Sequence, residues 1–189
     1  MSNEQKKQSD SNIMSEIKQW LRAFLICALV VIVVKAFIFN TFLVKGSSME
    51  PNFHHSDIVL VSKMNYLFSD PDKTDIIVCK CDYGKGEENI IKRVIGMPGD
   101  VINFELSGSE YILSVNDIPL SENYIMEPIQ QKGDMEYPYT VPEDTYFVMG
   151  DNRNASNDSR FKSVGAIPKK DIIGKVVMRF YPFNKISFY

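Results

Sequence analysis

The sequence predicts a mainly β domain carried behind a single N-terminal membrane-spanning helix, and three observations lead to that class. Residues 21–39 are almost wholly apolar, interrupted only by Arg22 near the start and Lys35 near the end. Beyond Lys45 the periodicity changes to short β-branched or aromatic runs. Turn-forming residues separate those runs. The 189 residues suit one domain with an appendage, and the part after Lys45 is long enough to bury a core of its own.

Residues 1–20 form a tail, polar through about Asn12 and with little apolar surface to bury. As a helix, residues 21–39 would span about 28 Å, enough to cross a hydrocarbon core of about 30 Å with the charged flanks snorkelling. The alternative, a buried core helix, is disfavoured because no amphipathic stripe is visible along the run. Trp20 stands where an interfacial aromatic would. Lys6, Lys7, Lys18 and Arg22 favour a cytoplasmic N-terminus, while Lys35 and Lys45 count the other way. No small-x-small site follows the run, so it reads as an uncleaved anchor in the lipid bilayer of the cell membrane. Residues 40–189 are then extracytoplasmic.

Strands are expected at 57–62, 75–79, 89–95, 101–104, 111–115, 146–149 and 172–181. Met97-Pro98-Gly99-Asp100 and Asn116-Asp117 supply turns between them. Strands at this spacing form antiparallel sheets, in a sandwich or a barrel-like set. Residues 127–142 hold Pro, Gln, Gly and charges, and read as a surface loop or hairpin insert.

Composition removes several function classes. A net charge of −3 gives no basic face dense enough for nucleic acid. Three cysteines are too few for a disulfide framework or a zinc site. Cys79 and Cys81 would share a strand face about 7 Å apart, at or beyond disulfide reach, and read as packing residues.

Three stretches carry chemistry. In Gly46-Ser47-Ser48-Met49-Glu50-Pro51, Gly46 permits φ > 0 and Pro51 restricts its neighbour, so a serine hydroxyl is rigidly presented. Such a serine is a nucleophile only if a base accompanies it. In residues 89–95, a strand would put Ile90, Lys92 and Val94 on one face, with the Lys92 ammonium among branched apolar side chains. Lowering a lysine from about 10.4 to about 7 or 8 takes roughly 3 to 5 kcal/mol of differential desolvation, within what buried lysines show. Residues 150–160 form a dense polar loop directly after a strand. An EF-hand is excluded there because Arg153 falls at a ligand position, Ser156 replaces the required glycine and Lys162 the bidentate Glu. The loop can hold a neutral lysine through a hydroxyl such as Ser156, and tie itself together through Asp158 with Arg160 or Arg153. Asn154-Ala155-Ser156 and Asn157-Asp158-Ser159 also fit a glycosylation pattern that is common by chance.

In this order behind one anchor, the three stretches resemble the type I signal peptidases, the membrane-bound Ser-Lys endopeptidases that remove signal peptides from exported proteins. The matching motifs are Gly-x-Ser-Met-x-Pro at 46–51, Lys-Arg-x-x-Gly-x-Pro-Gly-Asp at 92–100 and Gly-Asp-Asn-x5-Asp-Ser-Arg at 150–160, followed by Gly165. The resemblance implies an antiparallel β fold of signal-peptidase type, with Ser48 as nucleophile, Lys92 as general base and Ser156 as the hydroxyl that orients Lys92. It makes Asp158 and Arg160 structural supports. It implies an extended preprotein segment lying between residues 42–46 and 89–91, with Phe42, Val44, Phe53 and Ile91 lining shallow pockets for small residues such as Ala. Neither a metal nor a cofactor is called for, and a monomer is expected. The family's second oxyanion donor, in some members a hydroxyl two residues before the nucleophile, falls on Gly46, which has none. Asn52-Phe53 departs from the Thr-Leu that usually follows the proline. A single anchor with a short insert is similar to the compact Gram-positive form.

Two rival readings differ in class. A Ser-His hydrolase would have to use His54 or His55, the only histidines, which follow Ser48 closely and lack a Gly-x-Ser-x-Gly elbow. A catalytically inactive, membrane-anchored module would bind export substrates without cutting them, and retention of both Ser48 and Lys92 argues against it.

Overall fold

The computed structural model describes residues 16–32, 38–83 and 86–189. The first fifteen residues of the expected tail and residues 33–37 of the expected anchor lie outside the described residues. The chain divides between Phe39 and Asn40 into two compact units.

In the first unit, residues 16–32 form helix α1. Its apolar side chains are exposed around the whole circumference, with Trp20 77 % and Phe24 69 % accessible. Among the described residues, no helix is long and apolar enough to cross a membrane. Phe39, expected inside the anchor, instead opens the first strand.

The second unit holds two antiparallel sheets. The larger runs in the order β1 (Phe39–Leu43), β2 (Ile58–Ser62), β11 (Ile172–Tyr181), β3 (Ile76–Asp82), β4 (Glu87–Gly96), β9 (Thr145–Met149) and β10 (Ile167–Pro168), with β12 (Ser187–Phe188) joined to β11. The smaller runs β7 (Ile118–Pro119), β6 (Glu110–Val115), β5 (Val101–Ser107) and β8 (Tyr139–Thr140). One short helix, α2 (Asn65–Phe68), follows β2.

The larger sheet is covered on both faces, which is why β3 reads as a continuous apolar run rather than an alternation. Ile76 and Val78 enter one core with Val44, Met49 and Phe53, while Ile77 and Cys79 enter another with Val94 and Val148. Cys79 and Cys81 are buried free thiols, as their packing role requires. The turn at Met97-Pro98-Gly99-Asp100 carries the chain from β4 into the smaller sheet. Its Asp100 carboxylate accepts the Met97 N–H at 2.8 Å and pairs with Lys73 at 2.9 Å. Asn116 and Asp117 both take positive φ, 54° and 63°, and close the tight β6–β7 hairpin.

Residues 127–142, expected as a surface insert, contribute to the smaller sheet's core. Ile129 is 3 % and Val141 1 % exposed, and Tyr137 and Tyr139 pack against the same cluster. Tyr139 pairs with Ile102 as β8. The period-two series Tyr137, Tyr139, Val141 is the strand face that does this.

Candidate active site

Ser48 stands on a turn closed from both ends. The Val44 N–H donates to the Asp57 carbonyl at 2.8 Å, and the Ser56 N–H donates back to the Val44 carbonyl at 3.0 Å. Gly46 takes φ +81°, and its N–H donates to His55 Nδ1 at 3.2 Å. His55 is thereby committed to the turn's shape. The Phe53 N–H donates to the Met49 carbonyl at 2.9 Å, which turns the phenyl ring inward.

That inward turn corrects one expectation. Phe53 is fully buried, packed with Met49 in the core below the turn and 4.7 Å between ring centroids from Tyr189. It is a floor under the nucleophile and is not among the residues that line the groove at Ser48 and Lys92.

Lys92 lies on β4 opposite Ile77 of β3, with Ile90 and Val94 on the same face. It is 4 % exposed, and its Nζ lies 2.9 Å from Ser48 Oγ in a hydrogen bond. Burial holds the amine below the ordinary lysine value of 10.5, against the opposing pull of the Asp158 carboxylate. The Cys79 thiol, in the same apolar setting, is pushed up to about 12 by burial. It therefore stays protonated beside the amine.

The loop of residues 150–160 clamps this pair from the other side. The Asn152 N–H donates to the Ser48 carbonyl at 3.0 Å, and its side-chain amide donates to the Ser47 carbonyl at 3.2 Å. Asp158 and Arg160, both without exposure, form a two-pronged ion pair at 2.8 and 2.9 Å. Asp158 also accepts the Gly150 N–H at 3.0 Å, and Arg160 donates to the carbonyls of Gln131 and Arg153. Arg153, the alternative partner for Asp158, pairs instead with Glu122.

Ser156 is brought to the site but does not make the expected hydrogen bond. Its Oγ is buried and has no partner among the described residues. It is pressed against Gly150, where a Cβ would lie 2.3 Å from Ser156 Oγ and 2.4 Å from the Ser48 carbonyl oxygen. Only glycine admits both atoms. Gly150→Ala should therefore displace the nucleophile turn, at a cost of about 1 to 3 kcal/mol. A shift near 1 Å lowers turnover on the order of 10²-fold. Thermal denaturation and precursor cleavage measured side by side would check both effects.

A groove of about 640 Å³ opens at Ser48 and Lys92, bounded by residues 41–45 and 87–92, with Tyr83 and Asn157 at its wall. Phe42, Val44 and Ile91, which the resemblance named, are among the residues that line it. Among the described residues, residues 41–43 of β1 and 87–92 of β4 have no further strand paired along the groove. β1 ends the sheet order beside β2, and β4 pairs with β9 only from Arg93 onward.

The sequence reading missed a second charged layer beneath the turn. Arg93 meets Asp151 through two hydrogen bonds of 2.7 Å, and Asn52 donates to Asp151 at 2.8 Å. Arg93 also lies 4.1 Å from the Tyr124 ring centroid. Arg93 and Asp151 adjoin Lys92 and Gly150 within the quoted motifs, which was the available signal. Among the described residues, no group of three or more His, Cys, Asp or Glu could hold a metal ion.

Comparison with known proteins adds the family. The family described as "Signal peptidase, peptidase S26" matches residues 17–181. "Signal peptidase I P" of Bacillus subtilis subsp. natto is 35% identical, over 97% of this chain and 97% of that protein. "Signal peptidase I" of Bacillus licheniformis is 33% identical over 95% of this chain and 97% of its own. A solved signal peptidase I from Enterococcus faecalis V583 is 27% identical, covering 58% of this chain and 98% of that one, with a TM-score of 0.44.

Proposed function

The chain belongs to the signal peptidase I family, peptidase S26, and from that membership we propose that Ser48 is the nucleophile and Lys92 the general base of its reaction. The protein is a serine endopeptidase that removes signal peptides, and its substrates are preproteins bearing them. The observation that carries the residue assignment is the 2.9 Å contact between Ser48 Oγ and a buried Lys92 amine held below its ordinary value.

Each step follows from that contact. The neutral Lys92 Nζ takes the Ser48 Oγ proton as the oxygen attacks the carbonyl carbon of the scissile bond. The Ser48 main-chain N–H, which no carbonyl of the described residues accepts, stabilises the oxyanion. The Lys92 ammonium then returns its proton to the departing amine, leaving an acyl ester on Ser48. Lys92 next deprotonates water, which attacks that ester and frees the serine. When Oγ is esterified, the buried hydroxyl of Ser156 is the group left to hold the amine, and Asp158 with Arg160 keeps that hydroxyl in place.

The preprotein segment adds as an extended strand between residues 41–45 and 87–92. Val44 and Ile91, apolar side chains at the groove wall, are the residues we assign to shallow pockets for small side chains. Membrane association is a property of the family. For this chain we infer one anchor that begins at about residue 21 and ends before Phe39, a cytoplasmic N-terminus, an extracytoplasmic domain that begins with β1 at Phe39, and a monomeric state. The apolar side chains exposed all round α1, with Lys18 and Arg22 at its start, support the anchor.

The test uses the full chain in lipid vesicles with a membrane-targeted precursor carrying an Ala-x-Ala site. Release of the signal peptide by the intact protein, and loss of about 10³-fold or more in Ser48→Ala, is expected. A Ser48→Ala protein that still cuts would remove Ser48 from the role.

A further inference from the structure

The loop of residues 150–160 commits almost every polar side chain to its own fold. Asp151 holds Arg93 and Asn52, and Asn152 holds the Ser47 carbonyl. Arg153 holds Glu122 and Asn154 the segment from Glu127 to Gln130. Asp158 serves Arg160 and Gly150, and the Ser159 hydroxyl accepts the Val148 N–H. Two polar side chains are left. Ser156 is buried against Gly150, whereas Asn157 is exposed on the groove wall with Ser48 and Lys92 and makes no hydrogen bond among the described residues.

An uncommitted amide on a surface is ordinarily just solvated, so its place in the groove has to decide. On the acyl side of Ser48, a substrate strand has two main-chain edges to pair with, at residues 41–45 and 87–91. That pairing stops at Lys92, because from Arg93 onward β9 occupies the edge of β4. A chain continuing past the scissile bond has no β4 edge to pair with, and the polar side chain of the loop of residues 150–160 that lines the groove is the Asn157 amide. A carboxamide offers one donor and one acceptor side, the complement of a peptide group.

Resting on the Ser48–Lys92 reading, we propose that Asn157 is a specificity-determining residue for the leaving side of the substrate. Its amide donates to a main-chain carbonyl and accepts from a main-chain N–H of the extended segment just beyond the scissile bond.

Two substrates sharing one acyl part with an Ala-x-Ala site test this, one continuing several residues past the cleavage point and the other ending there in a chromogenic anilide. Asn157→Ala should lower kcat/KM on the long substrate by about 3- to 10-fold more than on the anilide, the worth of one or two modest hydrogen bonds. The loss should fall mainly in KM, with Asn157→Gln recovering part of it and the thermal midpoint unchanged in both variants. An equal loss on both substrates would show an effect exerted through Ser48 or Lys92 and overturn the proposal. No loss on either, or a Gln variant no better than Ala, would overturn it as well. A Ser48→Ala protein that still cut both substrates would instead defeat the Ser48–Lys92 reading, and Asn157 with it.

Discussion

Lys92→Met should abolish precursor cleavage at every pH and at the same time make the domain more stable. The two halves have one cause. Lys92 is 4 % exposed among Ile77, Ile90 and Val94, and burial lowers its amine from the ordinary 10.5. Without the amine nothing takes the Ser48 proton, and the rate should fall by at least about 10³-fold. A methionine of similar length fills the same apolar space with no charge to desolvate. Between the lowered value and 10.5 the folded protein binds fewer protons than the unfolded chain, so stability rises with pH across that window. The penalty is complete below it and fades towards 10.5. The gain in thermal midpoint of Lys92→Met over the intact protein should therefore be larger at pH 7 than at pH 10. In the intact protein, kcat/KM should climb with pH as the amine deprotonates. A Lys92→Met protein that melted at the same temperature as its parent would mean that the lysine is buried at no cost, and the lowered base would have to be given up.

Lys92 was legible because the alternation of residues 89–95 states which side chains share its face. Asp158 with Arg160 was legible for a similar reason, since the pair closes across only two residues. Arg93 with Asp151 and Arg153 with Glu122 close across 58 and 31 residues, and nothing local marks one carboxylate over another. Phe53, which the resemblance alone placed at a pocket, is buried beneath the turn instead. A Gly-Ser-Pro turn suggests exposure, but whether residues 49–53 fold outward or inward depends on the space beneath. Tyr189, from the other end of the chain, helps to form that space. Tyr137, Tyr139 and Val141 carried a strand period all along, hidden by the prolines at 138 and 142. Ser156 lay in a recognisable motif, yet only the folded packing shows that its hydroxyl is buried against Gly150 with no partner among the described residues.

Asp158→Asn should move the pH profile as well as weaken the fold. Asp158 and Arg160 are both wholly buried, so removing the carboxylate charge strands the guanidinium. Breaking such a pair costs about 3 to 5 kcal/mol, a fall in midpoint of roughly 10 °C for a domain of this size. Asparagine can still accept the Gly150 N–H, which keeps enough of the loop to measure activity. The electrostatic consequence is separate. Asp158 is the largest influence holding the Lys92 amine up against burial. Without its charge the amine should drop further, and the rising limb of kcat/KM should shift to lower pH even as the plateau falls. A purely structural role for Asp158 would lower the plateau and leave the limb where it was. A full pH series on the two proteins, at a temperature where both remain folded, separates these outcomes. A shift towards higher pH would mean that the loop's collapse admits water to Lys92, and that burial rather than Asp158 dominates its titration.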